Sequence, residues 1–221
     1  GTRLIRFGSS GLAGVWAEEN TRESIYNAFR RKETFGTSGP RIKVRFFAGY
    51  NFENSNLNDQ DLIQEAYSKN VPMGGDIIQE KGKNPRFLVW AISDPLGAPL
   101  QRVQIIKGWL ADGEQREKVF DVACSDGQRV NPLNHRCPDN GAEVSLDDCS
   151  ISREKGNAEI KTFWQDPEFS NDQEAFYYAR VLENPTCRWS TWDAVRAEEK
   201  PRSDIPITIQ ERAWSSPIWF N

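Results

Sequence analysis

The stretch Gly11–Ile42, GLAGVWAEENTRESIYNAFRRKETFGTSGPRI, decides the fold at the start of this chain. It predicts a glycine-rich lead-in, one capped helix, a polar turn and a first clear strand. Asn20 has the side chain of a good helix N-cap, and Glu23 follows three residues later, the pattern of a capping box. Basic residues crowd the last turn, where the helix dipole favours cations. We therefore predict a helix over about residues 21–32.

A polar turn is predicted to separate this helix from the strand. In Thr37–Pro40 a glycine and a proline interrupt the helical pattern. Across Arg41–Phe46 charged side chains alternate with apolar ones, the period of a half-buried strand. The helix has only a narrow apolar stripe of Ile25, Ala28 and Phe29, so it cannot fold alone. It must pack on this chain or on a neighbouring domain.

The rest of the chain predicts short strands that follow one another. Arg86–Ser93 is a nearly continuous apolar run between two prolines, which indicates a central buried strand. Gln101–Leu110 and Gln115–Cys124 flank the dipeptide Asp112-Gly113 and predict a hairpin. Other predicted elements are a helix in Asp59–Lys69, strands in Ala158–Trp164, Glu174–Leu182 and Ile207–Ile218, and irregular segments in Asp126–Asn157 and Trp189–Pro206. This spacing predicts a mainly β fold, an antiparallel β-sandwich with one or two short helices near the N-terminus.

Composition excludes two classes of function. The chain has 221 residues, enough for one domain with a real core, and a formal net charge of -4. Nucleic-acid binding would require a basic stripe, which the sequence lacks. No apolar run approaches the roughly 18 residues of a membrane span. We predict neither a nucleic-acid partner nor a membrane span.

The four cysteines are Cys124, Cys137, Cys149 and Cys187. Their spacing lacks the C-x2-C pairs of structural zinc sites, and four cysteines allow three connectivities. We expect disulfides, with Cys137 bonded to Cys149 and Cys124 to Cys187, because crosslinks would order the long polar loop. Free buried thiols and a metal site are the alternatives. Disulfides would indicate an oxidising compartment, so we predict a periplasmic or secreted protein.

A family resemblance extends over nearly the whole chain. It is carried by the opening stretch and by the later words PMGGD, PRFLVWAISDP, EKVFDVACSDG and IQERAWSSPIW, which occur in one order. These words resemble the C-terminal portion of the bacterial "domain of unknown function 3604" family (DUF3604), which is distantly related to PHP-type metal-dependent phosphoesterases. The resemblance implies that residues 1–40 are the tail of an upstream metallohydrolase-like domain and that residues 41–221 form a β-sandwich domain.

The resemblance also implies a function for the chain. It would be an accessory C-terminal β-domain of an uncharacterised metal-dependent hydrolase. Its partner would be the upstream catalytic domain, which would hold a divalent metal. A phosphoesterase site of that type needs several histidines and carboxylates, whereas this chain has one histidine, His135. We therefore predict no catalytic residue, no metal ligand and no cofactor in this chain, and the activity of the full-length protein stays open.

Six residues are predicted to line a cleft shared with the upstream domain, because the resemblance places this segment beside the metal site. They are Glu18, Glu19, Arg22, Thr37, Ser38 and Arg41. The hydroxyls, amides and guanidinium of the turn suit an anion. The bland interpretations are helix-start electrostatics for the acidic pair and an ordinary turn before a strand.

Aromatic residues crowd the second half of the chain. They are Trp164, Tyr177, Tyr178, Trp189, Trp192, Trp214, Trp219 and Phe220. Packing in the core and on sheet faces explains such residues. The alternative is a sugar-stacking platform, which would make the chain a carbohydrate- or protein-binding β-sandwich module.

Overall fold

A computed structural model describes residues 7–8, 10–52 and 56–221. The described residues form, in chain order, β1 (Leu12–Val15), α1 (Arg22–Arg30), β2 (Thr34–Thr37), β3 (Lys43–Gly49), α2 (Leu62–Lys69), β4 (Val71–Pro72), β5 (Asp76–Ile77), β6 (Arg86–Ile92), β7 (Leu100–Ala111), β8 (Glu114–Cys124), β9 (Glu159–Gln165), β10 (Ala175–Glu183), β11 (Thr186–Cys187), α3 (Trp189–Arg196), β12 (Thr208–Ile209), β13 (Arg212–Ser215) and β14 (Ile218–Phe220). Among these residues no helix has the length and apolar character needed to cross a membrane.

Two sheets pack face to face, which confirms the predicted mainly β, antiparallel sandwich. In the larger sheet β10 is central: β7 pairs with one edge and leads to β8, while β13 and β14 share the other edge. β13 continues into β2 and β1, and β14 pairs in parallel with β5. The smaller sheet has the order β4-β3-β6-β9, and β11 and β12 form a separate pair.

The main core lies between the two sheets. Side chains alternate along a strand, so Tyr177, Ala179 and Val181 of β10 all point inward and are fully buried. The ring of Phe87 on β6 packs against that of Tyr177, with their centroids 4.7 Å apart. The strand predicted at residues 86–93 is therefore confirmed as central and buried, because β6 lies between β3 and β9.

The helix α2 covers the outer face of the smaller sheet. Its buried residues Leu62 and Ala66 pack with Phe47, Phe52 and Leu88 in a second apolar cluster. This confirms the helix predicted in residues 59–69, with a later start. The hairpin prediction is also confirmed, since β7 and β8 pair along their whole length and both turn residues, 112 and 113, have positive φ.

The N-terminal helix differs from its prediction at both ends. The N-cap is Thr21, whose hydroxyl Oγ1 accepts the backbone N–H of Ser24 at 3.3 Å, so the prediction of Asn20 is wrong. Thr21 has the extended backbone of a cap residue, and one residue of shift leaves Glu23 outside a capping box. The helix ends at Arg30 rather than at residue 32.

Two strands flank this helix where a glycine-rich lead-in and a polar turn were predicted. β2 pairs with β13, and β1 pairs with β2, so residues 12–37 belong to the larger sheet. The indole Nε1 of Trp16 donates to the carbonyl oxygen of Val44 at 2.8 Å and joins this segment to the smaller sheet as well. The division at residue 40 stays a prediction, and residues 1–6 and 9 of its first part lie outside the described residues.

Both disulfides form, but the expected pairing is wrong. Cys124 bonds to Cys137, and Cys149 bonds to Cys187. The loop after β8 folds back on that strand, because the carboxylate of Asp121 accepts the backbone N–H of Cys137 at 2.7 Å. This brings Cys137 beside the end of β8 and leaves Cys149 to meet Cys187 beyond β10. The segment Trp189–Pro206, predicted to be irregular, contains the helix α3.

Candidate functional site

A cavity of about 710 Å³ lies where the end of β10 meets the loop before β7, residues 148–153 and helix α3. Its walls combine charged, aromatic and small residues. They include Gly97, Asp148, Arg153, Glu183, Trp192 and Glu211. The volume falls within the range of small-molecule sites in proteins.

Two glutamates face each other across neighbouring chain segments in this cavity. The backbone N–H of Glu183 donates to the carbonyl oxygen of Glu211 at 2.9 Å, next to the register pair of Leu182 with Arg212. Residues directly opposite in an antiparallel pair project to the same face. Like charges in that position destabilise a sheet, so the arrangement calls for a compensating contact.

Both carboxylates have a buried oxygen without a hydrogen-bond partner among the described residues. Glu183 is 1% exposed. Its Oε2 accepts the backbone N–H of Ala98 at 3.4 Å, whereas its Oε1 and the Oε2 of Glu211 accept nothing. Buried polar atoms without partners are costly, and they are rare in native proteins. A donor supplied by a ligand would satisfy both.

Burial raises the pKa of Glu183 to about 8, and the carboxylates of Asp94 and Glu211 add to this effect against the N–H of Ala98. Asp94 behaves in the opposite way, because the backbone N–H of Arg41 holds its pKa below the usual value. Glu183 is thus mostly protonated at neutral pH while Asp94 is ionised. Carboxyl groups with shifted pKa values in a cavity are candidate functional groups.

Gly97 keeps space free beside Glu183. A Cβ at this position would lie 2.9 Å from Oε1 of Glu183, closer than real Cβ atoms approach other atoms. The disulfide between Cys149 and Cys187 fixes residues 148–151 next to α3, which presents Trp192 to the cavity. The guanidinium of Arg153 donates to the carbonyl oxygen of Gly97 at 3.4 Å.

A second concave region lies on the outer face of the larger sheet. Trp109, Phe176 and Trp219 line a groove of about 680 Å³. The rings of Phe176 and Trp219 are 4.9 Å apart, and Trp219 is 40% exposed. Gly108 makes the ring of Phe176 possible, since a Cβ there would lie 2.3 Å from the ring.

The six predicted cleft residues line neither cavity. Glu18, Glu19 and Arg22 are exposed on the way into α1. Thr37 is buried in β2. Whether these residues face another domain stays a prediction.

Two of the six predicted cleft residues serve the fold through backbone contacts. The hydroxyl Oγ of Ser38 accepts the backbone N–H of Arg212 at 2.8 Å. The backbone N–H of Arg41 donates to Asp94 at 2.7 Å, while its side chain is exposed. Through Asp94, Arg41 lies near the glutamate cavity.

The predicted aromatic set does not form one platform. Tyr177 and Phe220 are buried in the core, with Trp164 packed against it. Trp189 and Trp219 are similarly exposed but lie in different elements.

Sequence reasoning missed the two glutamates that the cavity brings together. One signal was present: Glu183 continues the inward parity of Tyr177, Ala179 and Val181, a charged residue at a core-facing position. The position of Glu211 opposite Glu183 depends on strand pairing, which the sequence does not show.

No group of three or more His, Cys, Asp or Glu side chains in the described part of the chain is placed to hold a metal ion. The ring of His135 packs edge-on against Phe120, with centroids 5.1 Å apart. The four cysteines are all consumed by disulfides.

Fold and site together define a disulfide-bonded β-sandwich with a cavity of ligand size beside a buried glutamate pair. The sequence model of the family described as "Protein of unknown function (DUF3604)" matches residues 2–221, so the chain belongs to this family. Comparison with curated proteins gave no match, and neither did comparison with solved structures.

Proposed function

We propose that this chain is the accessory β-domain of a metal-dependent hydrolase of the phosphoesterase type and is not catalytic by itself. A distant relation to PHP-type enzymes would place the divalent metal in an upstream domain of the same chain. The aromatic face of α1, formed by Tyr26 and Phe29, carries this proposal as the surface on which that domain would dock. The two disulfides support a periplasmic or secreted location.

The aromatic face is unusual for a short surface helix. Tyr26 is 59% exposed and Phe29 is 49% exposed, while Ala28 is the only fully buried residue of α1. Residues three apart lie on the same side of a helix, so the two rings are neighbours. Exposed aromatic side chains that adjoin one another mark interaction surfaces.

The test compares residues 1–221 with a longer protein that includes the upstream region, on a panel of phosphoesters with added Mn²⁺ or Zn²⁺. We expect hydrolysis by the longer protein only. The double substitution Tyr26→Ser and Phe29→Ser should lower that activity, whereas Leu133→Ser, at a side chain 91% exposed, should not. Hydrolysis by residues 1–221 alone would contradict the proposal.

The aromatic groove supports a second candidate, a carbohydrate-binding module. Trp109, Phe176 and Trp219 offer ring faces of the kind on which sugars stack, and Glu117 and Glu174 lie among the groove residues as hydrogen-bond acceptors. Titration with oligosaccharides should change tryptophan fluorescence in a saturable way. Trp219→Ala should remove the change, and Trp189→Ala, at 38% exposure, is the matched control.

A further inference from the structure

We propose that the cavity beside Glu183 and Glu211 binds a small organic cation with a primary ammonium group, held by the two carboxylates and the ring of Trp192. This site is separate from the docking face and the aromatic groove. It stands whether or not the chain serves a hydrolase.

The cavity lacks donors for the acceptors that it buries. Oε1 of Glu183 and Oε2 of Glu211 have no partner in the described part of the chain, and the two residues are directly opposed. An ammonium group carries three N–H donors and a positive charge, so it can bridge two carboxylates. Hydrogen bonds between ionised partners are about twice as strong as neutral ones.

The charge of the lining also favours a cation. Glu183, Glu211 and Asp148 contribute carboxylates, and Arg153 contributes the one guanidinium among the residues that line the cavity. Hydrogen bonds from Ser150 keep the pKa of Asp148 low, so it stays ionised. Asp94 adds a further negative charge near Glu183.

An organic cation fits better than a bare metal ion. The described residues place no group of three or more metal-ligating side chains together. A volume of about 710 Å³ exceeds what one ion fills, and Trp192 supplies an aromatic wall. Cations are attracted to the faces of tryptophan rings.

Isothermal titration calorimetry at pH 8 with 1,5-diaminopentane tests the proposal. We expect saturable binding, and no binding of 1,5-pentanediol, which has the same length without charge. Glu183→Gln and Glu211→Gln should each weaken binding at least tenfold. Gly97→Ala should weaken it while leaving every charge in place, and Glu154→Gln, on an exposed loop outside the cavity, should leave it unchanged.

A proton count gives a second readout. Because Glu183 is protonated in the empty cavity at neutral pH, the amine must displace that proton. Titrations at pH 7 in two buffers of different ionisation enthalpy should show the release of up to about one proton, lost in Glu183→Gln. Thermal melting of each variant checks that it is folded.

Four results would overturn the proposal. They are equal binding of the diol, binding of CaCl₂ but not of the amine, amine binding that Glu183→Gln and Glu211→Gln leave intact, and no amine binding at millimolar concentration. A calcium-only result would indicate a metal site. None of the four would bear on hydrolysis by the longer protein, which is measured separately.

Discussion

The Nζ atom of Lys107 lies 2.9 Å from Oδ2 of Asp166, and both side chains are buried in the interior of the sandwich. The hydroxyl of Tyr177 donates to the same oxygen at 2.7 Å. Lys107 and Tyr177 belong to the larger sheet, while Asp166 directly follows β9 of the smaller one. This triad therefore joins the two sheets where the chain crosses between them.

Removing the charge of Asp166 should be much more damaging than removing the hydroxyl of Tyr177. Asp166→Asn leaves Lys107 buried without a counter-charge, which costs roughly 3–5 kcal/mol of unfolding free energy. Tyr177→Phe removes one hydrogen bond and should cost about 1–2 kcal/mol. Urea denaturation measures both, with Glu114→Gln in an exposed ion pair as the control that should change little. Equal losses for the two core variants would show that Lys107 is not charged there.

Stability should depend on pH through Glu183. Its folded-state pKa of about 8 lies above the value near 4.3 of an unfolded glutamate, so between these values the folded state binds the extra proton. Unfolding free energy should then fall as pH rises, by up to about 1.4 kcal/mol per unit.

Glu183→Gln lacks this titration, so its stability relative to the wild type should increase by about 2–4 kcal/mol from pH 5 to pH 8. Urea denaturation at three pH values measures the difference, which cancels the constant effect of the substitution. A difference that does not vary with pH would mean that Glu183 is ionised throughout this range. Glu154→Gln, on an exposed loop, serves as the control.

The two disulfides should stabilise the chain to different extents. They close loops with sequence separations of 13 for Cys124–Cys137 and 38 for Cys149–Cys187. The chain-entropy account gives about 3 and about 4 kcal/mol for these lengths. Paired Cys→Ser variants in urea should therefore lose more stability at Cys149 and Cys187, and the reverse order would contradict an entropic origin. Loss of amine binding in that variant alone would indicate that this bridge holds the cavity wall.

Gly74 should be intolerant of any side chain. It has φ of 89°, and a Cβ there would lie 2.4 Å from the carbonyl oxygen of Lys32 in the turn after α1. Gly74→Ala therefore combines backbone strain with a backbone clash and should cost more than about 2 kcal/mol. Gly82 has φ of 78° with open space around it, so Gly82→Ala should cost about 1 kcal/mol. Equal losses would mean that the N-terminal turn moves freely away from the sandwich.

Elements with strong local signals were predictable from sequence. β6 is a buried apolar run, and the β7–β8 hairpin is marked by Asp112-Gly113, whose side chains tolerate the positive φ of the turn. The short strands β1 and β2 gave no such signal, because Gly14 and Gly36 lower strand propensity and only pairing with β13 stabilises them. The helix α3 was missed because its eight residues follow a disulfide and lack a capping side chain.

The sequence by itself determined a mainly β sandwich, four cysteines suited to disulfides and membership in DUF3604, because periodicity, turn residues and ordered motifs are local properties of the chain. Only the tertiary structure decided which cysteines pair and that Glu183 meets Glu211, which is 28 residues away. Those contacts depend on how strands from distant parts of the chain pair, and hydrophobic burial between the sheets, rather than any local preference, selects that pairing.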